Sequence, residues 1–226
     1  MKIGSDKIFD DYFLSTRKKG GRGYLGMSEI GEPCKRKIWY NQNFPVAIDD
    51  PRVLRIFDLG NLLEDNMIKH LQKAGFELMD RDPDTGEQFR FTDLDGRFSG
   101  GIDGVIRGLK ESSQWHVWEM KSANERRFKQ FQKEGYISEP VYYGQIQLYM
   151  HYTKLDRAFV MVYNKNNSEI YYERIKYCKT TATYLIGKAL EILESEEEPD
   201  REYKTKSFYK CKWCNHRDRC WRKDEV

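Results

Sequence analysis

Apolar positions along the chain recur at two spacings. Helical spacing predicts a first helix from Ser5, as its cap, to about residue 18, with Ile8, Tyr12 and Phe13 as the apolar stripe. Gly20-Gly21-Arg22-Gly23 then breaks the chain, and Pro33 opens a short helix carrying Cys34, Ile38 and Trp39. Asp50-Pro51 is a start signal and Gly75 a stop for a long helix, with Leu54, Phe57, Leu62, Met67, Ile68 and Leu71 buried along one side. Shorter runs bounded by Gly, Asp and Pro turns predict strands over 76–79, 87–91, 97–106 and 115–121. Helices follow over 124–134 and 140–155, then strands over 158–163 and 169–175 joined by a polar turn, and a last helix over 180–194. This order predicts an α/β core around one central mixed sheet flanked by helices. The first 45 residues and the last 25 do not fit that pattern and read as accessory segments.

Composition changes the picture modestly. The 226 residues suffice for one substantial domain, and the 39% apolar content includes 14% aromatics, of which Tyr and Trp bury large area behind a polar tip. Charged residues reach 33% for a net charge of only +3, so distribution matters more than the total. Basic clusters lie at Arg17-Lys18-Lys19 with Arg22, at Lys35-Arg36-Lys37, at Arg126-Arg127 with Lys129, and from Lys204 to Lys223. Acid is concentrated over 194–202. Separated in this way, basic faces can follow a phosphate backbone, or simply solvate helix faces. No apolar run approaches a bilayer span and the N-terminus has no signal-peptide core, so the cytoplasm is the expected compartment. Five cysteines there point to metal ligands or free thiols ahead of disulfides.

The chemistry concentrates between Gly100 and Lys121. Asp103, among glycines, lies on one strand, and Glu119-Met120-Lys121 follows sixteen residues later on the opposite arm of an expected hairpin. Alternation places Glu119 and Lys121 on one face with Val117 beneath them. Mg²⁺ asks for few protein ligands, commonly one or two carboxylates, with water and phosphate completing its shell. Asp103 and Glu119 suit that demand, and Lys121 suits orienting a water or stabilising charge on a scissile phosphate. Upstream, Gly60 and Glu64 lie one turn apart on the long helix, where an inward Glu needs a cationic partner. Downstream, Gln145 and Tyr149 stand at i, i+4 and can reach one site.

Near the C-terminus Cys211, Cys214 and Cys220 form a C-x2-C-x5-C set. Three thiolates leave a tetrahedral site one ligand short, and Cys34 is the best distant candidate, with Cys178 read as a free thiol. His216 can replace a thiolate in a zinc site, so spacing alone leaves a [4Fe–4S] cluster and structural Zn²⁺ both open. Around such a site Trp39, Trp213 and Trp221 would lie among basic residues, either stacking on bases or covering the metal.

Taken in order, Gly60-x-x-x-Glu64, Gly101-x-Asp103, Glu119-x-Lys121 and Gln145-x-x-x-Tyr149 resemble the PD-(D/E)XK nuclease superfamily in its RecB-like exonuclease branch, over about residues 51–176. The resemblance implies a restriction-endonuclease-like fold. It implies Asp103, Glu119 and Glu64 as ligands of Mg²⁺ or Mn²⁺, Lys121 as the catalytic lysine, and Gln145 and Tyr149 as site residues. CRISPR-associated members usually carry His where this chain has Glu64; the acid is more like phage recombination exonucleases. The cysteine set resembles the iron–sulfur staple of CRISPR-associated and helicase-linked members, implying a structural [4Fe–4S] cluster held by Cys34, Cys211, Cys214 and Cys220.

The expectation is a single nuclease domain over 1–226, with its core at about 46–200 and an accessory cysteine region of 20–45 together with 201–226. It would hydrolyse phosphodiester bonds at DNA ends or in single-stranded DNA, in recombination, repair or CRISPR adaptation with a partner protein, and without a membrane. The rivals are a non-catalytic nucleic-acid-binding module that keeps the metal staple, and a restriction-like endonuclease.

Overall fold

A computed structural model describes residues 5–17 and 20–222. Lys18, Lys19 and Lys223, part of the basic clusters, lie outside the described residues, as does the expected end of the first helix.

Helix α1 (Ser5–Thr16) leads to a two-residue strand β1 (Leu25–Gly26) and to α2 (Lys35–Asn43), which has Cys34 at its N-cap. Helix α3 (Pro51–Lys73) begins as the sequence predicts. The Asp50 carboxylate caps it by accepting from the Arg52 N–H, Pro51 occupies its first turn, and Gly75 follows at φ 92°. Strands β2 (Glu77–Met79), β3 (Arg90–Asp93), β4 (Phe98–Gly101), β5 (Gly104–Arg107) and β6 (His116–Ala123) precede α4 (Glu125–Glu134), which is capped by Asn124. Then come α5 (Pro140–Thr153), β7 (Arg157–Asn164), β8 (Ile170–Lys176), α6 (Lys179–Glu194) and two short helices, α7 (Tyr209–Lys212) and α8 (Arg217–Trp221).

The strands form two mixed sheets, where the sequence suggested one. The larger has the order β2-β5-β6-β7-β8, with only β6 and β7 parallel; the smaller has the order β1-β4-β3, with β1 parallel to β4. The single strand expected over 97–106 is broken at Ile102-Asp103, and its two halves enter different sheets. Glycine makes the break possible: a Cβ on Gly100 would stand 2.8 Å from Met27 Cβ, and one on Gly104 would stand 2.7 Å from the Met79 carbonyl oxygen. The kink leaves Asp103 facing β6 at the fork between the sheets.

Strand β6 is buried on both faces and divides the core. Trp118 and Met120 pack with Ile68, Leu71, Leu78, Ile106 and Met161 against α3. Val117 and Ala123 belong to a larger cluster with Phe128, Phe131, Ile146, Leu148 and Tyr149 on the α4–α5–α6 side. Residues 20–45, expected outside the core, are woven into it: Leu25, Met27, Ile30 and Ile38 are fully buried. β1 pairs with β4, and the buried ammonium of Lys188 on α6 donates to the Ile30 and Glu32 carbonyls.

Two predicted apolar stripes are corrected. On α3 only the C-terminal half is buried, and Phe57 and Leu62 face solvent together with Ile56 and Leu59. Ile8, Phe9 and Tyr12 of α1 are also exposed, and the Arg55 guanidinium lies over the Phe9 and Phe13 rings. The first half of α3 lies against α1 and, across an open pocket, against residues 20–22 and 46–48, none of which offers a full apolar face. Among the described residues no helix is long and apolar enough to cross a membrane.

Candidate active site

The antiparallel pairing of β5 with β6, Gly104 opposite Trp118, brings Asp103 beside Glu119. The Met120 N–H donates to Asp103 Oδ2 at 3.0 Å, so the carboxylate that precedes β5 caps the ladder and is fixed against β6. Two residues apart on one face of β6, Glu119 and Lys121 form an ion pair through Glu119 Oε1. Glu119 is fully buried, and its second oxygen, Oε2, has no hydrogen-bond partner. A buried carboxylate oxygen left unpaired is costly, and it marks where a cation fits.

Electrostatics agree with that reading. Burial, then the neighbouring Asp103 carboxylate, pushes Glu119 up to about 8 despite the pull of Lys121. Glu64, reaching over from α3, is raised to about 7 by burial and by Asp103. Burial raises Asp103 as well, against the opposing effect of Lys121 and the Met120 N–H. Burial acts to lower Lys121, but the Glu119 and Asp103 carboxylates override it and hold the ammonium well above its ordinary value. Three carboxylates therefore share one ammonium, and the excess negative charge is what a divalent cation neutralises.

On α5, Gln145 Nε2 donates to the Tyr149 hydroxyl at 2.9 Å, as their i, i+4 spacing requires. Both are buried, and Tyr149 feels Glu119 and Lys121 electrostatically, its hydroxyl pushed upward first by burial and then by Glu119. All six sequence-predicted residues, Glu64, Asp103, Glu119, Lys121, Gln145 and Tyr149, thus converge on one region. Four further residues, Tyr142, Arg127, Glu139 and Tyr136, were not placed at the site by the sequence reading. The Tyr142 ring lies 5.4 Å from Lys121 Nζ and 5.0 Å from the Arg127 guanidinium. Arg127 in turn makes a two-pronged ion pair with Glu139, at 3.0 and 2.6 Å. Tyr136 is fully buried, and its unpaired hydroxyl belongs to the same electrostatic network as Lys121 and Glu119. The tyrosines of 136–143 were the available signal, but a Tyr-rich run reads equally well as core.

The cysteines converge separately. Cys34, Cys211, Cys214 and Cys220 all line one cavity of about 310 Å³, while Cys178 caps α6 elsewhere. All five are free thiols. Burial, then the other three thiols, pushes Cys211 upward, and burial also raises Cys214. His216 does not line the cavity; it is buried, with Nε2 2.8 Å from Asn41 Oδ1 and its ring against Tyr40. The structure therefore gives His216 a packing role in place of the ligand role left open by spacing. Around the cavity the chain ends are clasped together. Arg36 donates to the Pro199 carbonyl, the Trp39 indole to the Ser195 carbonyl, and Arg201 to the Cys220 carbonyl. Lys35 and Lys37 of the basic cluster are taken up by Glu191 and Glu32. Among the described residues no group of three or more His, Cys, Asp or Glu side chains is already arranged to hold a metal ion. What fits an ion is the donor chemistry: soft thiolates at one site and hard carboxylate oxygens at the other.

With this geometry in view, solved structures give the fold. The crystal structure of SSO0001 superposes with a TM-score of 0.55 over 96% of this chain and 96% of that one, at 14% sequence identity. An alkaline exonuclease, LHK-Exo from Laribacter hongkongensis, does so with a TM-score of 0.55 over 81% of this chain and 90% of that one, also at 14% identity. The same exonuclease in complex with dAMP gives 0.54 over 83% and 90%, at 14% identity. The fold is that of a restriction-endonuclease-like nuclease. No protein-family model and no curated protein matches the chain by sequence. On this nuclease fold the acid–lysine site sits at the fork between the two sheets, and the cysteine cavity lies on the far side of Tyr142 and Arg127.

Proposed function

We propose that the protein is a divalent-metal-dependent deoxyribonuclease of the RecB-like exonuclease type, hydrolysing phosphodiester bonds at DNA ends or in single strands. The observation that carries the reading is the buried, unpaired Oε2 of Glu119 beside Asp103 and Glu64, with Lys121 the one ammonium acting on all three among the described residues. A non-catalytic binding module has no use for three carboxylates repelling one another in the core, since each raises the cost of burying the next. Their cost is explained by a bound cation and a phosphate substrate.

In this reading Asp103, Glu119 and Glu64 hold Mg²⁺ or Mn²⁺. The ion, when bound, supplies Lewis-acid polarisation of the scissile phosphate and an acidified water. Asp103 is fixed by the Met120 N–H, so its free oxygen points without reorganisation. Lys121 stays charged and is placed to orient the attacking water or to offset negative charge developing on the phosphate. Gln145 and Tyr149 brace one another against the site from α5. Tyr142 and Arg127 form its cationic, aromatic rim.

The four cysteines of the clasp are proposed to hold a [4Fe–4S] cluster. It would tie residues 29–44 to 195–221 and take no part in hydrolysis. Soft thiolates are suited to iron–sulfur clusters or to zinc. Iron and acid-labile sulfide in an anaerobically purified brown protein are the expected result, and a colourless protein with stoichiometric zinc would replace the cluster with zinc.

Labelled DNA incubated with Mg²⁺, against an EDTA control, tests the main reading. Degradation of linear DNA with closed circles left uncut is expected. Cutting of closed circular duplex would make it an endonuclease, and no cutting in any metal would reject nuclease activity.

A further inference from the structure

The three tryptophans around the cysteine cavity behave differently. Trp39 and Trp221 are buried, at 7% and 8% exposure, and close the lobe. Trp213, between Cys211 and Cys214 in the cavity lining, is 86% exposed. Tyr209 beside it is 63% exposed, in line with a ladder of rings in which Phe208 stacks on Tyr203 at 4.2 Å and meets Tyr209 at 4.8 Å. The segment 203–217 carrying these rings includes Lys204, Lys206, Lys210, Lys212 and Arg217 and no acid. The two acids that line the same cavity, Glu32 and Glu139, are engaged by Lys37 and Arg127. Exposed π-faces on a segment that carries only basic charges complement a polyanion that has free bases.

A path leads from this surface to the acid site. Arg127 lines the cysteine cavity and lies over one ring, Tyr142, that also contacts Lys121 Nζ. We propose that the cysteine lobe is a platform for single-stranded DNA: Trp213 and Tyr209 stack on unpaired bases, and Lys210 and Lys212 on the same segment receive backbone phosphate as the strand runs past Arg127 toward Lys121. This rests on the reading of DNA as the substrate and adds the strand state to it. Paired bases offer no free face to an indole, so the platform discriminates against blunt duplex.

The test uses the holoprotein in an Asp103→Ala background, so that nothing is cut, with fluorescence anisotropy of a labelled oligothymidine and of a blunt duplex of equal length. Trp213→Ala is expected to weaken oligothymidine binding about tenfold, or ~1.4 kcal/mol, with duplex affinity changed less than about twofold. Trp213→Phe should restore most of the loss, because stacking needs a ring and not an indole. Because Trp213 is solvent-exposed, none of these changes should lower the melting temperature. Unchanged oligothymidine affinity in Trp213→Ala overturns the platform and leaves the exposed indole to a protein partner. An equal loss on both DNAs also overturns it, as an effect on backbone contacts. Wild-type protein that cleaves DNA while Trp213→Ala binds normally defeats the platform alone. Wild-type protein that binds neither DNA defeats the underlying substrate reading too.

Discussion

The acid–lysine site and the cysteine lobe are built on opposite plans. The first sits on two long-range-paired strands and two long helices, deep enough that Glu119 has no solvent contact. The second sits on helices of four and five residues whose thiols are only half-buried. A preorganised site must hold charges that repel, which only a rigid, already paid-for core can do. The cysteine lobe has little core of its own, so its order depends on the clasp between residues 35–39 and 191–201, and on the proposed cluster if the thiols hold one.

Breaking the first region should give the largest effect. Asp103→Ala or Lys121→Ala is expected to cut Mg²⁺-dependent cleavage by about 10²–10³-fold while circular dichroism and melting stay near wild type. Robust metal-dependent cleavage in both variants would move the site elsewhere. Cys214→Ser acts on the other side of the comparison. It should release the thiol-bound metal and lower the melting temperature by several degrees, with cleavage per folded molecule retained to within a few-fold. Loss of cleavage as complete as in Asp103→Ala, in protein that remains folded, would mean the lobe is part of the catalytic machinery.

pH separates the regions further. Glu119, raised to about 8, and Glu64, raised to about 7, keep protons in the folded state that the unfolded chain has already lost. The unfolded state then binds fewer protons, so the stability of protein free of divalent cation falls as pH rises from about 5 to 8. Mg²⁺ should flatten this dependence, which a series of thermal melts would show. A metal-free melting temperature that climbs over that range would contradict the assigned shifts. The smallest effect is expected on α3, where Leu62→Ser should change stability by less than about 0.5 kcal/mol. Leu71→Ala on the buried half should cost about 2–5 kcal/mol.

Much of the geometry of the acid–lysine site was legible because its signals are local. The alternation Val117-Glu119-Lys121 fixes a face, Asp50-Pro51 and Gly75 bound a helix, and Gln145 and Tyr149 share a helical turn. What stayed hidden depends on tertiary context. The strand break at Ile102-Asp103 is invisible in an apolar, glycine-containing run, because it follows from Met27 and Met79 approaching the backbone from distant parts of the chain. Residues 20–45 looked accessory because a two-residue strand carries no periodicity, yet β1 anchors the second sheet. Arg127 and Tyr142 acquire meaning only when α4 and α5 bring them to Lys121. Whether a tryptophan in the cysteine lobe covers metal or faces solvent is likewise decided by packing. Trp221 and Trp213, eight residues apart, go opposite ways.

The central claim is that Glu119, Asp103 and Glu64 form a cation site next to Lys121. Mn²⁺ titration by calorimetry at pH 8 and pH 6, on wild type and on Glu119→Gln, tests it most directly. Mn²⁺ should bind wild type at pH 8, at least about tenfold more weakly at pH 6 as Glu119 and Glu64 take up protons, and not at all in Glu119→Gln. Equal Mn²⁺ affinity in wild type and Glu119→Gln would contradict it.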